Sequence, residues 1–310
     1  MDGPDRLSRR GFLARAAAAG AAGLAASRLA SRPTRAADAP PAQDGWQIGC
    51  YTRPWDQHDY RTALDAIAEA GFKHAGLMTA KGPGGLVISL ATTPDEARQV
   101  GEETKKRGLA IPSVYGGDFP VDKSIQAGVE GLRKLIDLCA AAGTRNLLLG
   151  GTGNEKLQDA YYKAVAEGCD YAADKGIGLS VKPHGGMNAT GPQCRKVLEK
   201  VGHRNFRLWY DPGNIFYYSD GNLDPVDDAA TVDGLVVGMS VKDFKPPKSV
   251  DVTPGTGKVD FRAVLARLKK GGFARGPLVV ETLARGDLAQ TLAEARKARR
   301  FLEELTRQPA

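Results

Sequence analysis

Between residues 46 and 305 the chain alternates between two hydrophobic periods, and no other feature restricts its fold as strongly. Apolar runs of strand character occur at 46–51 (WQIGCY), 73–78 (KHAGLM), 109–115 (LAIPSVY) and 145–150 (RNLLLG). They recur at 177–182 (IGLSVK), 206–211 (FRLWYD), 235–242 (LVVGMSVK) and 278–283 (LVVETL). Each is followed by a helical period or by a loop leading to one. Eight strands alternating with helices predict an α/β fold, a single closed (β/α)8 barrel. A doubly wound open sheet would carry a glycine-rich phosphate loop after an early strand. The first strand here exits through GCYTRPW, which is not such a loop.

Helix ends are written into the sequence. Thr93 is positioned to N-cap a helix, with Pro94 in the first position, Glu96 closing a capping box and Gly108 as the stop. Asp260 caps another helix, whose buried stripe is Val264, Leu265 and Leu268 and whose end is Gly271 or Gly272. The stretch from Asp59 to Gly71 behaves the same way. The glycine-rich loop at 79–92 (TAKGPGGLVISLAT) is long enough to serve as a lid over the barrel mouth.

The first 39 residues stand apart from the barrel, which is expected over 45–308. Ser8-Arg9-Arg10-Gly11-Phe12-Leu13 precedes an Ala/Gly-rich segment and resembles a twin-arginine export signal. That segment is a poor membrane span, because Ala and Gly contribute little to insertion. An exported protein in the periplasm or another extracytoplasmic space is expected. The formal charge of +7 is largely a property of this leader. Residues 1–39 carry seven Arg and three Asp, leaving 36 basic against 33 acidic residues, a net +3. No Lys/Arg cluster interleaved with aromatics is present, so nucleic acid is not an expected partner. The four cysteines (50, 139, 169, 194) show no metal-binding spacing. A Cys139–Cys169 bridge is one arrangement, and separate buried thiols are the expected one.

In a barrel of this kind the site lies at the C-terminal ends of the strands. Those positions hold Tyr51 and Arg53, Tyr115, Lys182 and His184, Asp211 and Asn214, Ser240, Lys242 and Asp243, and Glu281. Charged groups ending apolar strands are costly to desolvate unless partnered, so this series reads as a site. Alternation places Lys182 and His184 on one side of the strand, and likewise Ser240 and Lys242, with Asp243 pointing away.

The motifs WYDPGNI, SVKDF, PGTGKVDF and VVETL, in this order over residues 46–305, look like the sugar phosphate isomerase/epimerase family. That family has the xylose isomerase-like barrel shared with endonuclease IV. The resemblance implies a divalent metal held by a Glu ending strand five, an Asp on strand six, a His on strand seven and a Glu on strand eight. Asp211 and Glu281 match two of these positions. Lys182 stands at the strand-five Glu and Ser240 at the strand-seven His. A lysine ammonium has no lone pair to offer a metal.

Two arrangements remain open. In one, His184 joins Asp211 and Glu281 as a mixed nitrogen/oxygen site for Mn, Zn or Mg. In the other, Lys182 replaces the cation. The chemistry implied by the resemblance is removal of a proton next to a carbonyl and stabilisation of the enediolate. Glu281 is the expected base, with Lys182 or His184 as acid or oxyanion stabiliser. Arg53, Trp55, Tyr115, Asn214 and Lys242 are expected to bind the substrate, a small-molecule carbohydrate. Export points to an unphosphorylated sugar or sugar derivative. A lyase or hydratase acting on a keto-sugar or glycoside, and a non-catalytic sugar-binding barrel, are the alternatives.

Overall fold

A computed structural model of the chain describes residues 45–307, so the leader lies outside the described residues. Eight parallel strands follow the order β2-β1-β8-β7-β6-β5-β4-β3. They are β1 (Trp46–Tyr51), β2 (His74–Gly76), β3 (Val114–Tyr115), β4 (Asn146–Leu149), β5 (Gly178–Val181), β6 (Phe206–Tyr210), β7 (Val236–Val241) and β8 (Gly276–Val280). The remaining seam closes through parallel bridges, His74 to Ala110 and Leu77 to Val114. The β3 ladder is only two residues long. Pro112 has no N–H to give a ladder, so it cuts short the apolar run that the sequence shows from residue 109.

The helices among the described residues begin where their caps predict. Asp59 caps α1 (Tyr60–Glu69), and Thr93 with Glu96 forms the reciprocal box of α2 (Pro94–Lys106). Ser124 caps α3 (Ile125–Ala142), which Gly143 ends in the left-handed conformation. Then come α4 (Gln158–Asp174) and α5 (Gly191–Val201), the latter opened by a Thr190–Gln193 capping box. Two short helices, α6 (Pro212–Tyr218) and α7 (Pro225–Ala230), follow β6. Asp260 caps α8 (Phe261–Lys270), and α9 (Leu288–Arg307) closes the ring. The Val264, Leu265 and Leu268 stripe of α8 is buried as expected.

The main core lies between strands and helices. A smaller cluster of Tyr51, Met78, Leu148, Trp209 and Val279, with Tyr115 packed on it, forms a separate layer. Val279 and Glu281 are two apart on one strand and share a face, so this layer is the floor beneath the charged groups. All four cysteines are free and buried, which leaves no Cys139–Cys169 bridge. No helix among the described residues is long and apolar enough to cross a membrane.

The 79–92 loop folds back on itself through an antiparallel bridge between Thr79 and Leu86. It forms one wall of a hollow of about 320 Å³ whose lining includes Tyr60, Arg61, Lys81, Glu96 and Gln99. That hollow sits against α1 and α2 and shares no residue with the charged strand ends. Leu86 of the loop also reaches the exit of β3, where a Cβ on Gly117 would meet its side chain at 2.8 Å.

Candidate active site

Lys182 follows directly on β5 and is 1% exposed. Its Nζ donates to Glu281 at 2.8 Å (Oε1) and 2.7 Å (Oε2), and to Asp211 Oδ2 at 3.2 Å. Lys242, beyond the end of β7, places its Nζ 2.7 Å from Glu281 Oε1 and 3.0 Å from Asp211 Oδ2. It also donates to Asn214 Oδ1 at 3.0 Å. Arg53, opening the 3-10 turn Arg53–Trp55 after β1, sets Nη1 2.7 Å from Glu281 Oε1. Three cations from three strand ends thus enclose two carboxylates.

Local structure fixes each partner. Asp211 N-caps α6, accepting from the Asn214 backbone N–H at 3.0 Å through Oδ1, which leaves Oδ2 for the two lysines. Asn214 in turn donates from Nδ2 to the Pro183 carbonyl at 2.6 Å, tying α6 to the turn after β5. Gly213 passes so close to Lys242 that a Cβ there would meet the lysine's carbonyl at 2.6 Å. Taking ions out of water costs several kcal/mol apiece unless they are closely paired. Both carboxylates and both lysines are at most 2% exposed, and each is paired.

The cluster sets its own proton affinities. Burial alone would raise the Glu281 pKa, but Lys182, Lys242 and Arg53 hold it well below the usual carboxylate range. Burial would lower Lys182, and Glu281 and Asp211 outweigh it to raise that pKa. For Lys242 burial wins and the pKa is lowered. Glu281 was expected to act as the base. Its Oε1 accepts from three cations and its Oε2 from Lys182, so it is a weak base that positions the lysines.

His184 does not enter the cluster, contrary to the alternation argument. Pro183 ends the strand, and the chain turns through Gly185 (φ 83°) and Gly186 (φ 54°). The turn is closed by the His184 N–H donating to Asn188 O at 3.0 Å and by Asn188 Nδ2 donating to the Lys182 and Gly150 carbonyls at 2.8 and 2.9 Å. The imidazole stands exposed at the rim, its ring centre 6.4 Å from that of Tyr115 and 6.1 Å from that of Tyr218. Partial desolvation there, then the charges of Lys182 and Lys242, lower its pKa to about 3. It is therefore neutral at ordinary pH.

The expected His184–Asp211–Glu281 metal set is accordingly not assembled. No group of three or more His, Cys, Asp or Glu side chains among the described residues could hold a metal ion. The carboxylate oxygens such an ion needs are already bonded to ammonium groups, and a dication there would be repelled by both lysines. The residues present do not fit a divalent metal.

Of the other expected substrate contacts, Tyr115 is half-buried at the rim and Asn214 is buried beneath Lys242. Trp55 is 2% exposed with its indole in the main core, so it offers no stacking surface. Ser240 is buried and its hydroxyl has no partner among the described residues. Tyr218, 37% exposed beside His184, is a rim residue that sequence reasoning missed. It lies on α6, directly after β6, where Asp211-Pro212 is a helix-opening pair.

Asp243 points away from the lysines, as alternation predicted, and its role is structural. Its Oδ1 accepts from the N–H groups of Phe244 and Val259 at 2.8 and 3.0 Å, and its Oδ2 from Gly255 and Gly257 at 3.0 and 2.8 Å. One buried carboxylate thus folds the PGTGKVDF loop. Asp243→Ala is expected to destabilise the protein by about 3 kcal/mol or more, since four donors lose a charged acceptor. Urea unfolding would measure it, and a change under about 1 kcal/mol would refute the anchoring role.

The fold and this mouth define a (β/α)8 barrel with a buried ionic site at the C-terminal ends of its strands. The family described as Xylose isomerase-like TIM barrel matches residues 64–305, and the chain belongs to it. A curated relative, the L-ribulose-5-phosphate 3-epimerase UlaE of Salmonella paratyphi C, is 25% identical over 216 residues, covering 63% of this chain and 72% of its own. Among solved structures, D-psicose 3-epimerase with D-tagatose from Clostridium cellulolyticum H10 superposes with a TM-score of 0.67 at 13% identity, covering 84% of this chain and 99% of that one. D-allulose 3-epimerase from Methylomonas sp. superposes at 0.65 with 19% identity, covering 85% and 99%. These two likenesses establish the fold.

Proposed function

We propose that the protein is a sugar isomerase/epimerase that removes and returns a proton next to a carbonyl. One observation carries this reading: Lys182, Lys242 and Arg53 converge on one point at the end of the barrel. Proton abstraction next to a carbonyl puts negative charge on the carbonyl oxygen, and the field of preorganised cations in a dry site stabilises that charge without a direct bond from the two lysines, whose donors are committed to Asp211, Glu281 and Asn214. Asp211 and Glu281 hold the two ammonium groups in place, and at Lys182 their charge outweighs burial. The epimerase names of the relatives, including the ketose 3-epimerases of the same fold, support the reaction class.

The proton carrier in this reading is His184. Its imidazole is neutral and makes no side-chain hydrogen bond to a described residue, so a ring nitrogen is open to the substrate. Its low proton affinity reflects in part the ammonium field. Negative charge growing on the substrate oxygen offsets that field, so the histidine becomes more basic as the transition state is approached. The leader-like residues 1–39 support an exported protein, and hence an unphosphorylated sugar or sugar derivative.

The test is proton–deuterium exchange at the carbons next to the carbonyl of trial keto-sugars, followed by NMR in D2O. Exchange with inversion is expected. Exchange without inversion would transfer the site to the lyase reading, and the absence of exchange across the ketoses would leave a sugar-binding barrel.

A further inference from the structure

The ionic cluster is unbalanced. Arg53, Lys182 and Lys242 face only Asp211 and Glu281, so three positive charges meet two negative ones. No neighbour among the described residues removes the surplus. Asp243 has both oxygens committed to backbone donors. Asp118, on the loop after β3, forms no ion pair with any of the five. A surplus charge in so dry a place is costly unless a counter-charge arrives.

The donors divide by direction. The Lys182 and Lys242 ammonium groups are 2% exposed or less and spent on Asp211, Glu281 and, for Lys242, Asn214. Arg53 differs, with 31% of its side chain exposed. Only its Nη1 is engaged, leaving Nε and Nη2 without a partner among the described residues. The Arg53–Trp55 turn is held from below by buried Trp55 and by Thr52, whose hydroxyl donates to Thr79 O at 2.9 Å and accepts from the Met78 N–H at 3.0 Å. Arg53 therefore presents part of a rigidly mounted guanidinium fork to the mouth.

We propose that the mouth takes a sugar bearing one carboxylate, an oxidised sugar or sugar acid, whose negative charge pairs with the free edge of Arg53 and neutralises the cluster. A guanidinium fork matches a planar carboxylate with two parallel hydrogen bonds. One negative charge cancels the surplus, whereas a phosphate monoester, at roughly −1.5 to −2, overshoots it. The inference rests on the isomerase/epimerase reading only in taking the ligand to be a sugar.

Three probes of one skeleton test it on the full chain: D-glucose, D-glucuronate and D-glucose 6-phosphate, titrated calorimetrically. D-glucuronate is expected to bind about tenfold or more tighter than D-glucose and tighter than the phosphate, as one charge-assisted pair would give. Arg53→Gln is expected to erase the preference. Arg53→Lys, which keeps the charge and the contact to Glu281 but loses the fork, is expected to retain an intermediate one. Equal binding of glucose and glucuronate, tightest binding of the phosphate, a preference that survives Arg53→Gln, or no binding of any probe overturns the proposal. Proton exchange separates this from the reaction itself. Exchange on neutral ketoses without carboxylate preference removes the inference and leaves the isomerase. Carboxylate preference without exchange on any ketose or keto-acid does the reverse.

Discussion

Replacing Lys182 by Glu and Ser240 by His together is expected to create a site that binds about one divalent ion per chain, where the wild-type protein is expected to bind none tightly. The two substitutions restore the Glu and His positions that the family resemblance implies beside Asp211 and Glu281. The physical reason is that Lys182 Nζ, 2.7 to 3.2 Å from the carboxylate oxygens, occupies the place of a cation. A glutamate at 182 withdraws that ammonium and supplies oxygens, and a histidine at 240, level with Val279, reaches up from the floor layer with a nitrogen donor. Titration with Mn²⁺ or Zn²⁺ reads the gain. Lys182→Glu alone leaves an incomplete set, so its uptake should be clearly weaker. Tight binding by the wild-type protein would contradict the argument.

Glu281→Ala is expected to cost about 3–5 kcal/mol of stability, because breaking a buried ionic set strands the remaining charges. Lys182 and Lys242 would then share Asp211 alone, and Arg53 would lose its Glu281 partner. The paired change Glu281→Leu with Lys182→Leu is expected to recover much of the loss, since apolar replacement of a buried pair is often neutral. Urea midpoints for the three proteins form the test, and a single variant as stable as wild type would refute the coupling. The sign with pH is definite. Glu281 has a folded-state pKa well below its unfolded value of about 4.3. Its stabilisation is complete above that value and is lost as pH falls through the folded pKa. The acid limb of wild type should therefore be steeper than that of the paired leucine variant.

The barrel was legible in the sequence because each level of pattern agreed. Eight apolar runs, the Thr93–Glu96 box, the Gly108 stop and the Asp260 cap point to the same ring of strands and helices. The site was legible as positions and less so as geometry. Alternation correctly turned Asp243 away from Lys242, because β7 remains regular to Val241. It failed for His184, because Pro183 stops the strand and the Asn188 bonds rotate the turn, a tertiary effect invisible in the spacing. Trp55 looked like a rim aromatic because it follows a strand end, yet its short 3-10 turn rolls the indole into the core. Asp211 and Glu281 stand together at their strand ends, and their partners are two lysines and an arginine rather than a histidine.

In the proposed reading, ammonium and guanidinium groups at this barrel mouth stabilise the developing charge at the place where the family resemblance implies a divalent metal. The most direct test of that reading is the deuterium-exchange rate of a keto-sugar or keto-acid substrate, measured before and after exhaustive chelation and again in Lys182→Met. An unchanged rate is expected after chelation, and a rate reduced by about a hundredfold or more in the variant, the usual scale for losing an oxyanion-stabilising group. Exchange that disappears on chelation and returns with added Mn²⁺, or that survives the loss of Lys182, would contradict it.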